Sequence, residues 1–201
     1  MNDAMNVISK NLVLSGIGVE LQPMLEEHIP MLLTVASEKR IWEHYPFDGS
    51  IAARLDKELK KSLAKKEKLK QFPFIIKKKA EEKIIGSTRF LNIDLENRNV
   101  EIGFTWLHPD YWATGVNTEC KLLLMTYCFE ELDLERVQYK TDELNIRSRK
   151  AIEKLGGQFE GIHRNDRLRD NGTYRSSAFY SILKSEWESI KQQLMERVKQ
   201  Y

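Results

Sequence analysis

Hydrophobic positions recur along the chain in two rhythms. A β-rich run from Leu12 to Leu21, broken by Gly16 and Gly18, predicts a strand with a turn or bulge. Leu25–Val35 has the spacing of a short helix. Ile51, Ala52, Leu55, Leu59 and Leu63 then form an i, i+4 stripe, with Asp48 or Ser50 as the expected cap. Three strand patterns follow in close order: Phe72–Ile76, Ile84–Leu95 and Val100–Leu107. Their separators, Lys77–Lys83 and Glu96–Asn99, read as hairpin turns, so this stretch is expected to be an antiparallel meander.

Beyond Leu107 the rhythm changes. Asn117–Leu132 reads as a helix, Val137–Thr141 as a strand, and Asn145–Leu155 as a helix closed by Gly156-Gly157. Two strands follow, around Phe159–Arg164 and Ser176–Leu183, joined at Asp170-Asn171-Gly172. Trp187, Ile190, Leu194 and Val198 share one face of a last helix, about 185–199. A meander followed by alternating strands and helices predicts an α+β fold (an α/β sandwich) whose mixed, mostly antiparallel central sheet of about seven strands is flanked by helices. No internal repeat or low-complexity linker interrupts it, so residues 1–201 are expected to form a single domain.

Composition narrows the function classes. With 41% apolar and 31% charged residues over 201 positions, disorder, collagen and disulfide scaffolds are excluded. The longest apolar stretches, such as Leu122–Met125, fall far short of a membrane span. The first residues, MNDAMNVISKN, lack the basic-then-apolar layout of a signal peptide. Cys120 and Cys128 lie eight residues apart in one expected helix, ~12 Å at ~1.5 Å rise per residue, too far to bridge. His28, His44, His108 and His163 are scattered singly, and no metal-ligand spacing occurs. The expected setting is a reducing cytoplasm, without a structural metal. Lys+Arg 32 against Asp+Glu 30 gives a net +2, which excludes bulk nucleic-acid or membrane electrostatics. The lysines between Lys57 and Lys70 read as a solvated helix face; a ribosome- or nucleic-acid-binding module is the alternative use of that face.

The segment Val100–Glu119 carries the candidate chemistry. A strand ends at His108-Pro109, a turn of small residues follows, and a helix opens at Gly115. Such a strand–turn–helix is an anion site, because the first helical N–H groups lack internal partners and the helix dipole adds positive potential. The amides of Ala113, Thr114, Gly115, Val116, Asn117 and Thr118 are the candidate donors.

This segment resembles the acyl-CoA-binding motif of the GNAT N-acetyltransferase superfamily, whose loop reads Arg/Gln-x-x-Gly-x-Gly/Ala. Trp112-Ala113-Thr114-Gly115-Val116-Asn117 fills it, with Trp112 in place of the Arg/Gln and Asn117 in place of the last small residue. Tyr111-Trp112-Ala113-Thr114-Gly115 is similar to the Tyr-Trp-Gly-x-Gly of the branch containing the ribosomal-protein (alanine) N-acetyltransferases. A second motif, Asn145-Ile146-Arg147-Ser148 then Gly156-Gly157, resembles the helix that follows in that family. Many members place a tyrosine seven residues after the Asn to protonate the departing thiolate; Ile152 stands there instead, and Ser148 matches the serine of the ribosomal-protein branch.

The resemblance implies the GNAT acyl-CoA N-acyltransferase fold and acetyl transfer from acetyl-CoA to a primary amine such as a protein N-terminus, with no metal. It implies a diphosphate on the Ala113–Thr118 amides, contacts from Trp112 and Asn145, and a pantetheine arm between Val100–Leu107 and Val137–Thr141. Those strands must splay to admit it, and Gly103 is the expected place for a bulge. A backbone N–H at Trp106 or Leu107 is the expected donor to the thioester carbonyl. Glu101 is the candidate base and Ser148 the candidate acid. Glu119, in the first turn of the anion-binding helix, is expected to be structural. Expected partners are acetyl-CoA and an amine acceptor, with no membrane; nucleic acid is disfavoured and a homodimer is compatible. A non-catalytic acyl-CoA-binding regulator on the same fold is the competing reading, kept open by Ile152.

Overall fold

One sheet of eight strands, in the order β1-β2-β3-β4-β5-β6-β8-β7, organises the protein. The computed structural model describes residues 8–200. β1 (Leu14–Ser15) and β2 (Val19–Pro23) are the two halves of the Leu12–Leu21 run, which is why the sheet has one strand more than expected. The turn between them is shaped from outside the hairpin. A Cβ on Gly16 would lie 2.3 Å from Oε1 of Glu119, which accepts the Gly18 N–H at 2.9 Å. Glu119 is therefore structural: it ties this turn to a distant helix.

The meander is present as β3 (Gln71–Lys78), β4 (Lys83–Asp94) and β5 (Asn99–Leu107), all antiparallel. After it come β6 (Arg136–Asp142), β7 (Gln158–Leu168) and β8 (Tyr174–Leu183). Their hairpin turns at Gly172, φ +81°, a backbone state glycine enters without steric penalty.

Side-chain alternation assigns the two faces. Val100 and Ile102 of β5, Val137 and Tyr139 of β6, and Ala178, Tyr180 and Ile182 of β8 point to one core. There they meet α3 (Val116–Thr126), α4 (Ile146–Lys154) and α5 (Lys184–Val198) through Cys120, Leu124, Ile152, Trp187 and Leu194. Ile75 and Trp106 point to a second core under α1 (Ile29–Val35) and α2 (Ala52–Lys66), with Leu32, Leu55 and Leu59. Both cysteines are buried and free.

Two local expectations are corrected. α2 is capped by neither Asp48 nor Ser50: Ile51 is its N-cap, and Asp48 instead accepts the Ser50 N–H and hydroxyl at 3.0 and 2.6 Å. The expected helix to Leu132 is α-helical only to Thr126, then runs on as a π turn, closed by the Leu132 N–H on the Tyr127 carbonyl at 3.0 Å. No helix among the described residues is long and apolar enough to cross a membrane. On α2, Lys60 pairs with Asp56 at 3.0 Å, and Lys57 and Lys61 face solvent, consistent with a solvated face.

Candidate functional site

β5 and β6 are parallel neighbours, yet they pair only at Asn99↔Arg136, Val100↔Val137 and Glu101↔Gln138. Above Glu101 they separate, leaving a V-shaped cleft whose vertex is Glu101 and Gln138. The distortion begins in β5. Register moves from Arg89↔Gly103 to Ser87↔Trp106, three residues of β5 against two of β4, so one extra residue is inserted. The bulge is not at Gly103, as expected, but at the next residue: Phe104 has φ +49°. Gly103 is required for room, since a Cβ there would meet Leu91 Cδ1 at 2.9 Å and Glu101 Oε1 at 3.1 Å.

A phenylalanine in this backbone state needs outside support. The Arg89 guanidinium lies 3.7 Å from the Phe104 ring centroid, 1% exposed, with Nη1 donating to Glu58 and Gln71 at 3.1 Å each. Burial lowers its pKa to about 10, so it stays charged at neutral pH. Tyr45 donates its hydroxyl to the Thr105 carbonyl at 2.8 Å, and burial holds its phenol well above the usual range. Trp42, Tyr45, Phe47, Phe104 and Trp106 form one aromatic cluster with neighbouring centroids 4.9–6.4 Å apart. Trp42 and Trp106 are buried in it, while Tyr45, Phe47 and Phe104 remain partly open.

Strand alternation also decides which amides face the cleft. His108 N–H donates to Ile85 of β4 at 2.9 Å, so Trp106, two residues back, likewise turns its N–H toward β4. Leu107 and Thr105 face the cleft instead. The Leu107 carbonyl is taken by the Trp112 indole N–H at 3.0 Å.

The loop above the cleft turns through left-handed backbone into the start of α3. Ala113 and Gly115 have φ +61° and +80°, and Gly115 is the N-cap of α3 without any side-chain cap. The Thr114 hydroxyl folds back to the Tyr111 carbonyl at 2.8 Å. None of the N–H groups of Ala113, Thr114, Gly115, Val116, Asn117 or Thr118 has an acceptor among the described residues. Six open amides at a helix N-terminus form a cradle suited to a diphosphate. In Gly115→Ala the free loop is expected to relax out of this backbone state, so that returning it on binding costs roughly 1–2 kcal/mol and weakens CoA binding by about tenfold; titration calorimetry checks it, and undiminished affinity refutes the cradle.

At the vertex, Glu101 is 5% exposed. Its Oε2 accepts from Asn92 Nδ2 at 2.8 Å, and Asn92 is turned inward by its own positive φ of 48°. Oε1 accepts no hydrogen bond from the described residues. By alternation with Val100 and Ile102, the carboxylate lies on the α1/α2 face, as do Gln138 and Phe179. A cavity of about 370 Å³ opens there, lined among others by Gln138, Glu160, His163 and Phe179.

On the cleft's other side, Asn145 caps α4, its Oδ1 accepting the Ser148 N–H at 2.9 Å. The Ser148 hydroxyl makes no hydrogen bond among the described residues, and Ser148 stands one turn above Ile152 on the same helical stripe. Ile152 itself is buried in the core. Unforeseen from sequence were Arg89, the Tyr45–Thr105 bond, Arg147 on the Trp112 ring and the buried Lys121; the signal for Arg89 and Lys121 was a lone cation at the head of an apolar stretch.

Comparison with known proteins identifies the family. A family model described as "Acetyltransferase (GNAT) domain" matches residues 19–158. YdaF of Bacillus subtilis, which carries a provisional ribosomal N-acetyltransferase name, is 38% identical over 108 residues, 54% of this chain and 58% of YdaF, so the match spans little more than half of that relative. The uncharacterised N-acetyltransferase p20 of Bacillus licheniformis is 31% identical over 71% of this chain and 78% of its own length. The crystal structure of a GCN5-related N-acetyltransferase from Brucella melitensis superposes with a TM-score of 0.85 at 26% identity, covering 94% of this chain and 86% of that one. With its splayed β5–β6 cleft and its open amide loop before α3, the chain belongs to the GNAT acetyltransferase family.

Proposed function

We propose that the protein transfers the acetyl group of acetyl-CoA to a primary amine by direct attack on the thioester. The observation that carries the reading is the alignment of three features along one cleft: six open amides at its mouth, further N–H groups facing its wall, and a buried carboxylate at its vertex. Bound there, acetyl-CoA supplies an acetyl carbon activated by its thiolate leaving group.

The chain's own residues account for the rest. The Ala113–Thr118 amides hold the diphosphate, beside Trp112 and Asn145. The Leu107 and Thr105 amides face the cleft and receive the pantetheine arm and thioester carbonyl, where a fixed N–H dipole stabilises developing negative charge. An α-amine, pKa ~8, is largely protonated at pH 7. Glu101, whose Oε1 accepts no hydrogen bond among the described residues, takes that proton directly or through water, and the free amine forms the new C–N bond as the C–S bond breaks. The second nitrogen proton, shed as the C–N bond forms, passes through water and the Ser148 hydroxyl to the leaving sulfur, so that Ser148 gives one proton and regains one. The cavity beside Gln138 gives the acceptor room on the same face as Glu101.

The ribosomal N-acetyltransferase name of YdaF favours a ribosomal protein as acceptor, with its N-terminus as the proposed amine and the cytoplasm as the proposed setting. The test is thiol release from acetyl-CoA against peptide N-termini, polyamines and aminoglycosides. Turnover with one acceptor class supports transfer and names the substrate. Tight acetyl-CoA binding with no release on any acceptor makes the chain an acyl-CoA-binding regulator, the competing reading that Ile152 keeps open.

A further inference from the structure

Among the described residues a side-chain pair joins the two lips of the cleft at its mouth. Trp112 belongs to the loop between β5 and α3, whereas Arg147 lies in the first turn of α4, directly after β6. The strands carrying them have separated, yet the Arg147 guanidinium carbon sits 3.8 Å from the Trp112 ring centroid. The indole is a fixed platform, because its N–H is bound to the Leu107 carbonyl at 3.0 Å. Arg40 approaches the same ring at 6.0 Å.

Arg147 is unusual among its neighbours in being held without being paired. Arg149, two residues on, donates to the Tyr180 hydroxyl at 2.9 Å. Arg136 pairs with Glu160, Arg169 with Asp142 and Arg54 with Asp170. Arg147 is exposed and makes no ion pair or hydrogen bond among the described residues. A guanidinium stacked on an indole keeps its in-plane N–H donors directed outward, ready for a second partner.

The partner chemistry follows from position. Trp112 immediately precedes Ala113, the first of the six open amides. Those amides and the helix dipole supply partial charge only, whereas a diphosphate carries full negative charges. Position 112 itself brings no cation. We propose that Arg147, seated on Trp112, is a diphosphate-binding residue for the acyl-CoA, reaching across the cleft mouth from the opposite lip. The inference rests on the acyl-CoA reading of the cleft.

Equilibrium titration of acetyl-CoA and of S-acetylpantetheine, which lacks the diphosphate, separates the two ideas. Arg147→Gln is expected to raise the acetyl-CoA Kd on the order of tenfold, the loss of one charge-assisted contact, and to flatten its salt dependence. Its use of S-acetylpantetheine stays at the wild-type level. Trp112→Leu, which removes the platform and keeps the cation, is expected to weaken acetyl-CoA binding in the same direction. An unchanged acetyl-CoA Kd in Arg147→Gln overturns the proposal, as does an equal loss for S-acetylpantetheine. If the wild-type protein binds no acetyl-CoA at all, the cofactor reading itself fails, a result distinguishable from either.

Discussion

Replacing Glu101 with Gln is expected to lower kcat/KM for the amine acceptor by about two to three orders of magnitude, the range lost when a positioned general base is removed. Acetyl-CoA affinity should hardly move, because the diphosphate loop lies at the other end of the cleft. The fold should survive as well: a glutamine oxygen still accepts the Asn92 hydrogen bond now made by Oε2 at 2.8 Å. The defect should narrow as pH rises past the α-amine pKa of ~8, since the acceptor then arrives as the free base. Steady-state kinetics between pH 6.5 and 9.5 read all of this. Wild-type kcat/KM across that range would remove Glu101 from the chemistry; a loss of acetyl-CoA affinity together with rate would make the residue a support for the bulge instead.

Much of the architecture was legible because it follows from local rules. Short apolar runs bounded by turn residues marked the meander, i, i+4 stripes marked α2 and α5, and the small-residue turn before α3 marked the open-amide loop. The displaced bulge shows where local reading ends. Gly103 looked like the distorted residue because glycine tolerates distortion, but it is needed for the close approach of Leu91 and Glu101. The positive φ falls on Phe104, held there by Arg89 from β4 and by the aromatic cluster from the α1–α2 segment. Likewise the turn that Gly16 and Gly18 announced is tied down by Glu119, a hundred residues away in sequence. Arg147 on Trp112 joins two motifs that were each visible alone. In every case the deciding partner comes from a distant segment, and no periodicity carries that information.

Lys121 shows the same dependence in its most energetic form, and Lys121→Met is expected to make the protein more stable at neutral pH. The side chain is 4% exposed, on the face of α3 that packs against β4 and β5. Its ammonium donates to the Thr105 and Thr88 hydroxyls at 2.5 and 3.3 Å, and no carboxylate pairs with it among the described residues. Burial pushes its pKa down to about 8; the adjacent Cys120 thiol, itself raised to about 12, opposes this only slightly. An unfolded lysine titrates at ~10.4. Between those values the unfolded chain holds a proton the folded one has released, so stability rises with pH across that window. Below pH 8 both states are protonated and the folded state bears the whole penalty; above about pH 10.5 neither does. A shift of over two units is worth about 3 kcal/mol. Methionine matches the volume, and Thr88 and Thr105, 2.7 Å apart, still bond each other. Urea unfolding should therefore show Lys121→Met more stable by about 2–3 kcal/mol at pH 7, with the gain shrinking toward zero by pH 10.5. A variant no more stable at pH 7, or one whose gain is flat with pH, refutes a charged Lys121 in the fold. The same substitution removes the tether on the residue after Phe104, whose carbonyl Tyr45 grips from the other face. Rate should therefore fall while stability rises, the combination expected where a buried charge is kept to hold a strained strand in its working shape.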